Sequence, residues 1–324
     1  MKVLLTTTSY QDTPGPHHDL LASSGYDVVR ARGPLPEAEM LRLIETSGGF
    51  DGLLNGDDHI TAKVIDAALA APRKLRVIAK YGIGLDSIDV KHATAKKIPV
   101  LFTPGVNHTT VAEHTFGLMI ALVKHFWPHL RSTKAGEWKR ITGNELYGKT
   151  IAVLGVGRIG KEVIKRAAAF DMKPVGFDVY WDEAFASQYD VRRAATADEA
   201  IEGADVVSLH MNLDDSNRHF INAARIARMK KGAIVINTAR GGLVNEADVA
   251  TACKAGQLGG YGTDVLDKEP PDKDHPFRGI DNVIVTPHVG SRTFESVERQ
   301  AMRATQNLLN YLKGDSDYIQ ANKF

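Results

Sequence analysis

Short apolar runs alternate with amphipathic stretches along almost the whole chain of 324 residues. Apolar runs of strand length, bounded by glycine, proline or aspartate, read as buried strands, and the 3.6-residue periods between them read as helices. In the first third, strands are predicted at Lys2–Thr6, Asp51–Asn55, Arg76–Ala79 and Pro99–Phe102, with helices at Leu35–Glu45, Ala62–Ala70 and Asp89–Ala95. Thr103-Pro104-Gly105 breaks the pattern. A long apolar helix is predicted from Thr109 to Phe126, ended by Pro128, and the polar stretch Trp138–Lys149 follows it. Beyond it, strands are predicted at Thr150–Leu154, Pro174–Phe177, Asp205–Leu209, Ala233–Asn237, Gly260–Gly262 and Asn282–Val285. The helices between them fall at Arg158–Phe170, Asp198–Glu202, Ala223–Met229 and Glu246–Ala255.

Strand–helix alternation of this kind argues for an α/β fold with parallel sheets covered by helices. The last helix, Thr293–Leu312, has no strand of its own. The simplest arrangement packs it back on the first unit, so that the middle of the chain is an insertion. The expected domains are 1–103 plus 291–324, and 104–290.

Charge and composition narrow the function classes. Lys and Arg number 40 against 39 Asp and Glu, and no dense basic run occurs, which argues against nucleic acid or an anionic membrane as main partner. Cys253 is the single cysteine, so no internal disulfide or C-x-x-C metal site can form. The longest apolar run, Phe116–Val123, is well short of the roughly 20 residues that cross a bilayer. Lys2 leads directly into Val3-Leu4-Leu5 with no signal-peptide pattern, so a cytoplasmic protein is expected. His125 and His129 have a helical metal-ligand spacing, but Pro128 between them should break the helix, and no metal is expected. His17-His18 reads as an exposed loop pair.

The most specific signal is Gly155-Val156-Gly157-Arg158-Ile159-Gly160. It follows a predicted strand, opens a predicted helix, and is succeeded by a second strand ending at Asp178. That context is what a dinucleotide requires. The first glycine permits the tight turn, the second admits the pyrophosphate, and the third lets helix pack on strand. Phosphates then meet the positive end of the helix dipole. Asp178 would take the adenosine ribose hydroxyls and repel a 2′-phosphate, and no arginine stands among Val179, Tyr180 and Trp181, so NAD is expected over NADP.

Three side chains each follow a predicted strand. Arg240, in Asn237-Thr238-Ala239-Arg240-Gly241-Gly242, offers a planar fork suited to a carboxylate. Glu269 lies in the proline-bounded run Asp264-Val265-Leu266-Asp267-Lys268-Glu269-Pro270-Pro271. His288, in Thr286-Pro287-His288-Val289-Gly290-Ser291, is the usual type of proton shuttle near neutral pH. Singly, each is most often a surface residue. Together they make a cation, an acid/base and a group to set its charge.

With these motifs, the chain resembles the D-isomer-specific 2-hydroxyacid dehydrogenases. The resemblance also covers Lys80-Tyr81-Gly82-Ile83-Gly84-Leu85-Asp86, Thr103-Pro104-Gly105, Val111-Ala112-Glu113-His114 and Glu145-Leu146-Tyr147-Gly148-Lys149. It implies a Rossmann NAD-binding domain inserted in a discontinuous flavodoxin-like substrate domain. It further implies that Arg240 binds the substrate carboxylate and carbonyl, that His288 is the acid/base, and that a buried Glu269 pairs with it. The implied cofactor contacts are Gly155, Gly157, Arg158, Ile159, Gly160, Asp178, His210, Ala239, Asp264 and His288. The implied substrate contacts are Lys80, Tyr81, Gly82, Ile83 and Gly84, together with Arg240. Asn212 stands where the family usually has proline. His114, beside Glu113 on the long helix, is read as structural.

The reaction expected is hydride transfer between NAD and a small 2-keto acid or its D-2-hydroxy acid. Glu269 disfavours formate, since formate dehydrogenases place glutamine opposite the histidine. By the same resemblance, the phosphoglycerate enzymes carry an arginine where Asn55 to Asp57 stand, whereas Asp57 and Asp58 in this loop are unfriendly to a phosphate, and the chain ends at Phe324 without a regulatory extension; both points favour a substrate with an uncharged tail. D-3-phosphoglycerate remains an alternative substrate. A non-catalytic NAD-sensing module is the alternative of a different class. A homodimer through the region of the long helix is expected.

Overall fold

The structure is a computed structural model that describes residues 1–324. It divides into two compact units, Met1–Asn107 with Arg292–Phe324, and His108–Ser291. The crossings lie at 107/108 and 291/292, against 103/104 and 290/291 read from the sequence.

The first segment runs β1 (Lys2–Leu5), α1 (Thr8–Asp12), α2 (Pro16–Ala22), β2 (Asp27–Arg30), α3 (Glu37–Ser47), β3 (Gly52–Asn55), α4 (Ala62–Ala70), β4 (Val77–Lys80), α5 (Val90–Ala95) and β5 (Val100–Leu101). Its strands form one parallel sheet in the order β2-β1-β3-β4-β5, the flavodoxin-like arrangement. The central strands read as continuous apolar runs because both faces are covered. One face packs Leu4, Leu53 and Ile78 against α3 and α4 residues such as Met40, Ile44 and Val64. α1, α2 and β2 were not anticipated. His17, expected on an exposed loop, is fully buried on α2.

The second unit opens with α6 (His108–Val123) and α7 (Phe126–Lys134). The sequence predicted one helix ended by Pro128. Instead the break falls at His125, in the left-handed region at φ 52°, and Pro128 lies in the first turn of α7. That turn tolerates proline because its N–H groups have no helical partner. His129 Nε2 accepts a hydrogen bond from the Ile141 backbone N–H at 3.0 Å. The path continues through β6 (Thr150–Leu154), α8 (Arg158–Ala169), β7 (Lys173–Phe177), α9 (Glu183–Gln188), β8 (Arg192–Arg193), α10 (Ala197–Ile201) and β9 (Val206–Leu209). It then runs through α11 (Ala223–Arg228), β10 (Ala233–Asn237), α12 (Glu246–Ala255), β11 (Leu258–Thr263) and β12 (Val283–Val285). These seven strands form a parallel sheet, β12-β11-β10-β9-β6-β7-β8, whose order reverses between β6 and β9. α6 seats on this sheet where Gly260 and Gly262 make room for Leu118 and Leu122.

The final helix, α13 (Phe294–Lys313), is capped by the Thr293 side chain and ended by Gly314 at φ 90°. It belongs to the first unit, where Ala301, Ala304, Leu308 and Leu312 meet Val3, Leu54 and Val77. A Cβ at Gly52 would lie 2.7 Å from Leu308 Cδ1, so glycine sets how closely this helix approaches the strand. No helix is long and apolar enough to cross a membrane.

Candidate active site

The glycine turn joins β6 to α8. Gly155 has φ 92°, and a Cβ on it would lie 2.6 Å from the His210 carbonyl. A Cβ at Gly160 would lie 2.0 Å from the Gly155 carbonyl oxygen. Both positions therefore require glycine for the fold. Gly157 differs: its φ is −75°, and a Cβ there would meet nothing within 4 Å. The open space faces the N-terminus of α8, where no side chain caps the helix. A pyrophosphate fits that position by charge and by room.

At the end of β7, Asp178 closes the turn, accepting from Val156 N–H at 2.6 Å and from Tyr180 N–H at 2.8 Å. Arg193, on the edge strand β8, lays its guanidinium 5.3 Å from the centre of the Trp181 ring. The sequence window after Asp178 showed no arginine; strand pairing of Gly176 with Arg193 brings this one near. His210 turns its ring inward. Nε2 contacts Ser208 Oγ at 2.8 Å, Nδ1 is sealed without a partner, and burial pushes the imidazole down to about 3.

Strands β10, β11 and β12 are neighbours in the sheet, and each delivers one of the three candidate side chains past its carboxyl end. Arg240 follows β10, partly buried, with its carbonyl held by Asn237 Nδ2 at 2.9 Å and Nη1 on the Ala239 carbonyl at 2.6 Å. Gly241 lets this loop touch the one that follows β11, since a Cβ there would fall 1.9 Å from the Leu266 carbonyl carbon. Three residues on, Glu269 Oε1 accepts from Leu266 N–H at 2.8 Å, and Oε2 faces His288 Nδ1 at 2.8 Å. The pair is made, but Glu269 is not buried as expected. Its side chain is 37% exposed and that of His288 46%. The proline-flanked loop lies at the surface, with Asp267, Lys268, Pro270 and Pro271 also exposed.

His288 itself has φ 52°. Its N–H donates to the Asp264 carbonyl at 2.9 Å, and the Asp264 carboxylate accepts from Val289 and Gly290 N–H and from Thr286 Oγ1. His114, read from the sequence as structural, meets Thr286 Oγ1 at 2.8 Å. No local sequence signal could have joined His114 to Thr286.

In the first unit, the run Lys80–Gly84 leaves β4. The Lys80 side chain is 2% exposed, its Nζ donating to the Gly56 carbonyl at 2.6 Å and to Asp57 Oδ1 at 2.5 Å. Gly82, at φ 124°, donates its N–H to Thr103 Oγ1 at 3.0 Å. Ile83 and Gly84 are partly buried, and burial pushes the Tyr81 hydroxyl up to about 12. Asp58, read as one of two acids facing a substrate, is fully buried, accepting from Thr6 Oγ1 and from Leu35 and Gly56 N–H. The loop's charge is thus a pair between buried Lys80 and exposed Asp57 plus the inward Asp58 carboxylate.

Residues 116–290 match the family model described as D-isomer specific 2-hydroxyacid dehydrogenase, NAD binding domain. The chain is 41% identical over 317 residues, 97% of its length, to a D-3-phosphoglycerate dehydrogenase of Methanocaldococcus jannaschii, and spans 58% of that longer protein. It is 37% identical over 90% of its length to a glyoxylate reductase of Thermofilum pendens, covering 86% of that protein. Among solved structures, the TT0316 protein of Thermus thermophilus is similar with a TM-score of 0.89 and 35% identity, over 99% of this chain and 100% of that one.

Proposed function

The chain belongs to the D-isomer specific 2-hydroxyacid dehydrogenase family, with an NAD-binding domain in its second unit, and from that premise we propose that it interconverts a small 2-keto acid and its D-2-hydroxy acid. The observation that carries the proposal is the 2.8 Å contact of His288 Nδ1 with Glu269 Oε2, in the same sheet as the glycine turn. Ligands of open α/β sheets bind off the carboxyl ends of the strands, near where strand order reverses.

NAD, when bound, supplies or accepts the hydride. The Gly155–Gly160 turn would hold its pyrophosphate, with Arg158 and Ile159 opening the helix beneath. Asp178 would take the ribose hydroxyls, and the His210 backbone would border the adenosine side. Ala239 and Asp264 would line the nicotinamide end. Arg240 binds the substrate carboxylate and draws electron density from the carbonyl. With Nδ1 directed at Glu269, Nε2 of His288 is the atom that would give a proton to the substrate oxygen in reduction and take it in oxidation. A positioned acid of this kind contributes about 10²–10⁴-fold. Lys80 and the Tyr81–Gly84 backbone are substrate contacts that the family resemblance implies for the first unit.

A substrate with a small uncharged tail, such as glyoxylate, hydroxypyruvate or pyruvate, is favoured because Lys80 is already engaged by Asp57 and Gly56. The phosphoglycerate reading is kept by the 41% identical relative. Following NADH and NADPH oxidation with these acids and with 3-phosphohydroxypyruvate tests both. NADH-dependent turnover of a small acid, with kcat/KM at least about 10-fold above the phosphorylated acid, is expected. Preference for the phosphorylated acid would replace the substrate assignment. Tight NADH binding without turnover of any acid would favour the sensor reading. A homodimer, supported by exposed apolar side chains on α7, and a cytoplasmic location belong to the same proposal.

A further inference from the structure

His114 lies on α6, remote in sequence from the residues assigned above, yet its ring reaches the loop that carries His288. Nε2 stands 2.8 Å from Thr286 Oγ1 and 3.4 Å from Asp264 Oδ1. Thr286 Oγ1 donates to Asp264 Oδ1 at 2.6 Å. A hydroxyl has one proton to give, and with that proton on Asp264, His114 is the donor to the threonine oxygen. Hydrogen bonds therefore run in one direction, from His114 to Thr286 to Asp264, and end on a carboxylate that is 3% exposed.

That carboxylate grips the His288 loop on both sides. Thr286 precedes Pro287-His288, while Val289 N–H reaches Oδ1 at 2.9 Å and Gly290 N–H reaches Oδ2 at 2.7 Å. Glycine is required for the last contact, since a Cβ at 290 would lie 2.8 Å from Oδ2. Burial raises the Asp264 carboxyl, but His114 close by and the bonds from Thr286, Val289 and Gly290 outweigh it and hold the group below the usual carboxylate range. The backbone between these anchors is not relaxed. His288 sits at φ 52°, a left-handed conformation that a residue with a Cβ keeps only when its surroundings impose it.

We propose that His114 is a positioning residue for His288, acting through Thr286 and Asp264 to fix the backbone that aims the imidazole. The catalytic half of this inference rests on the reading of His288 as acid/base; the clamp itself stands on geometry alone.

The test compares His114→Leu, which removes the donor, with His114→Gln, which can present an amide N–H near the place of Nε2, and with Thr286→Val. The first readout is amide hydrogen exchange at Val289 and Gly290 in the protein without ligands, referenced to Ile236 and Tyr261 in the sheet. His114→Leu and Thr286→Val are each expected to speed exchange at 289 and 290 by about 10-fold or more with the reference amides unchanged, and His114→Gln to stay near wild type. The second readout is turnover of the best keto acid. A kcat loss of about 10–10²-fold is expected in both disrupting variants, with KM for the keto acid changing far less, since a small misplacement of a catalytic group has that cost. Gln should restore most of it, and the double variant should fall no further than the worse single one, because both break one chain. Unchanged exchange at 289 and 290, a rise shared by the reference amides, or losses that multiply in the double variant would each overturn the proposal. Should His114→Leu fail to fold, Thr286→Val carries the same expectations with nearly the same volume. Should the wild type turn over no keto acid, amide exchange still decides the clamp, and only the functional reading fails.

Discussion

Glu269 presents one oxygen to His288 Nδ1 and the other to the Leu266 N–H, both at 2.8 Å, so it cannot turn away from the ring without giving up a backbone hydrogen bond. A negative charge there favours the protonated imidazole. Glu269→Gln keeps the shape and removes the charge. Reduction, which starts from the charged ring, is then expected to fade at a lower pH than in wild type, while oxidation, which starts from the neutral ring, keeps its alkaline activity. Profiles of kcat against pH in both directions check this; superimposable profiles would remove the pair from the mechanism. With 46% and 37% of the two side chains exposed, solvent screening keeps the displacement modest. His17 gives the opposite case, a ring that folding keeps neutral. It is fully buried, Nε2 donates to the Tyr10 carbonyl at 3.1 Å, Nδ1 has no partner, and burial holds the imidazole below its ordinary 6.5. As pH falls below 6.5 the unfolded chain binds a proton that the folded chain refuses. The contribution to stability is therefore complete above that pH. It is lost toward the lower folded value, by at most about 1.4 kcal/mol per pH unit. In His17→Gln the urea midpoint should fall less between about pH 7 and about pH 5 than in wild type. An equal fall would show that the ring does not titrate with unfolding.

At the scale of elements, the β6–α8 turn separates glycines needed for folding from one needed for a ligand. Gly160→Ala drives a Cβ to 2.0 Å from the Gly155 carbonyl oxygen, and a loss of about 2 kcal/mol or more in a urea melt is expected. Gly157→Ala meets only open space at an ordinary φ, so its stability should match wild type while NADH affinity, read by fluorescence titration, weakens by about 10-fold or more. Undiminished NADH affinity in Gly157→Ala would move the cofactor away from this turn. The turn was legible because each glycine acts within six consecutive residues. α8, α12 and α13 were legible too, since their apolar stripes span several turns. β2, the run Asp27-Val28-Val29-Arg30 at a sheet edge, and β8, only Arg192 and Arg193, lack such a stripe. Their pairing partners β1 and β7 make them strands. The long helix was misread for a similar reason. Pro128 looks like a stop, but the chain bends at His125 and the proline starts a new helix, a distinction made by the backbone of one residue.

For the whole molecule, sequence separation hides what sheet order joins. Arg240, Glu269 and His288 could be nominated singly, but the contact of Glu269 with His288 follows from β11 and β12 being adjacent, with β10, which leads to Arg240, next to β11. His114 and Arg193 could not be nominated, because their partners are set by packing alone. The burial of Asp58 and Lys80 was equally hidden, since charge in a loop says nothing of which way it turns. α7 carries large apolar side chains that its own unit leaves in water. Phe126 is 47% exposed, Trp127 54% and Leu130 54%, with Trp138 beyond the helix at 79%. Phe126 and Leu130 lie one turn apart, so they share a face. A cluster of large apolar groups left in water marks a surface that another molecule covers, and a second copy is the occupant proposed. Light scattering should then give about 71 kDa, twice the 35.3 kDa chain. Covering the remaining half of Trp127 and Leu130 contributes about 1 kcal/mol each per protomer, so charging both positions should weaken association by about 10³-fold across a two-fold contact. Trp127→Asp with Leu130→Asp should therefore yield a 35.3 kDa species that melts near the wild-type temperature at matched low concentration, since neither side chain is in the core of its own unit. A wild-type chain that runs at 35.3 kDa would refute the dimer. A double variant that stays dimeric would move the contact off α7.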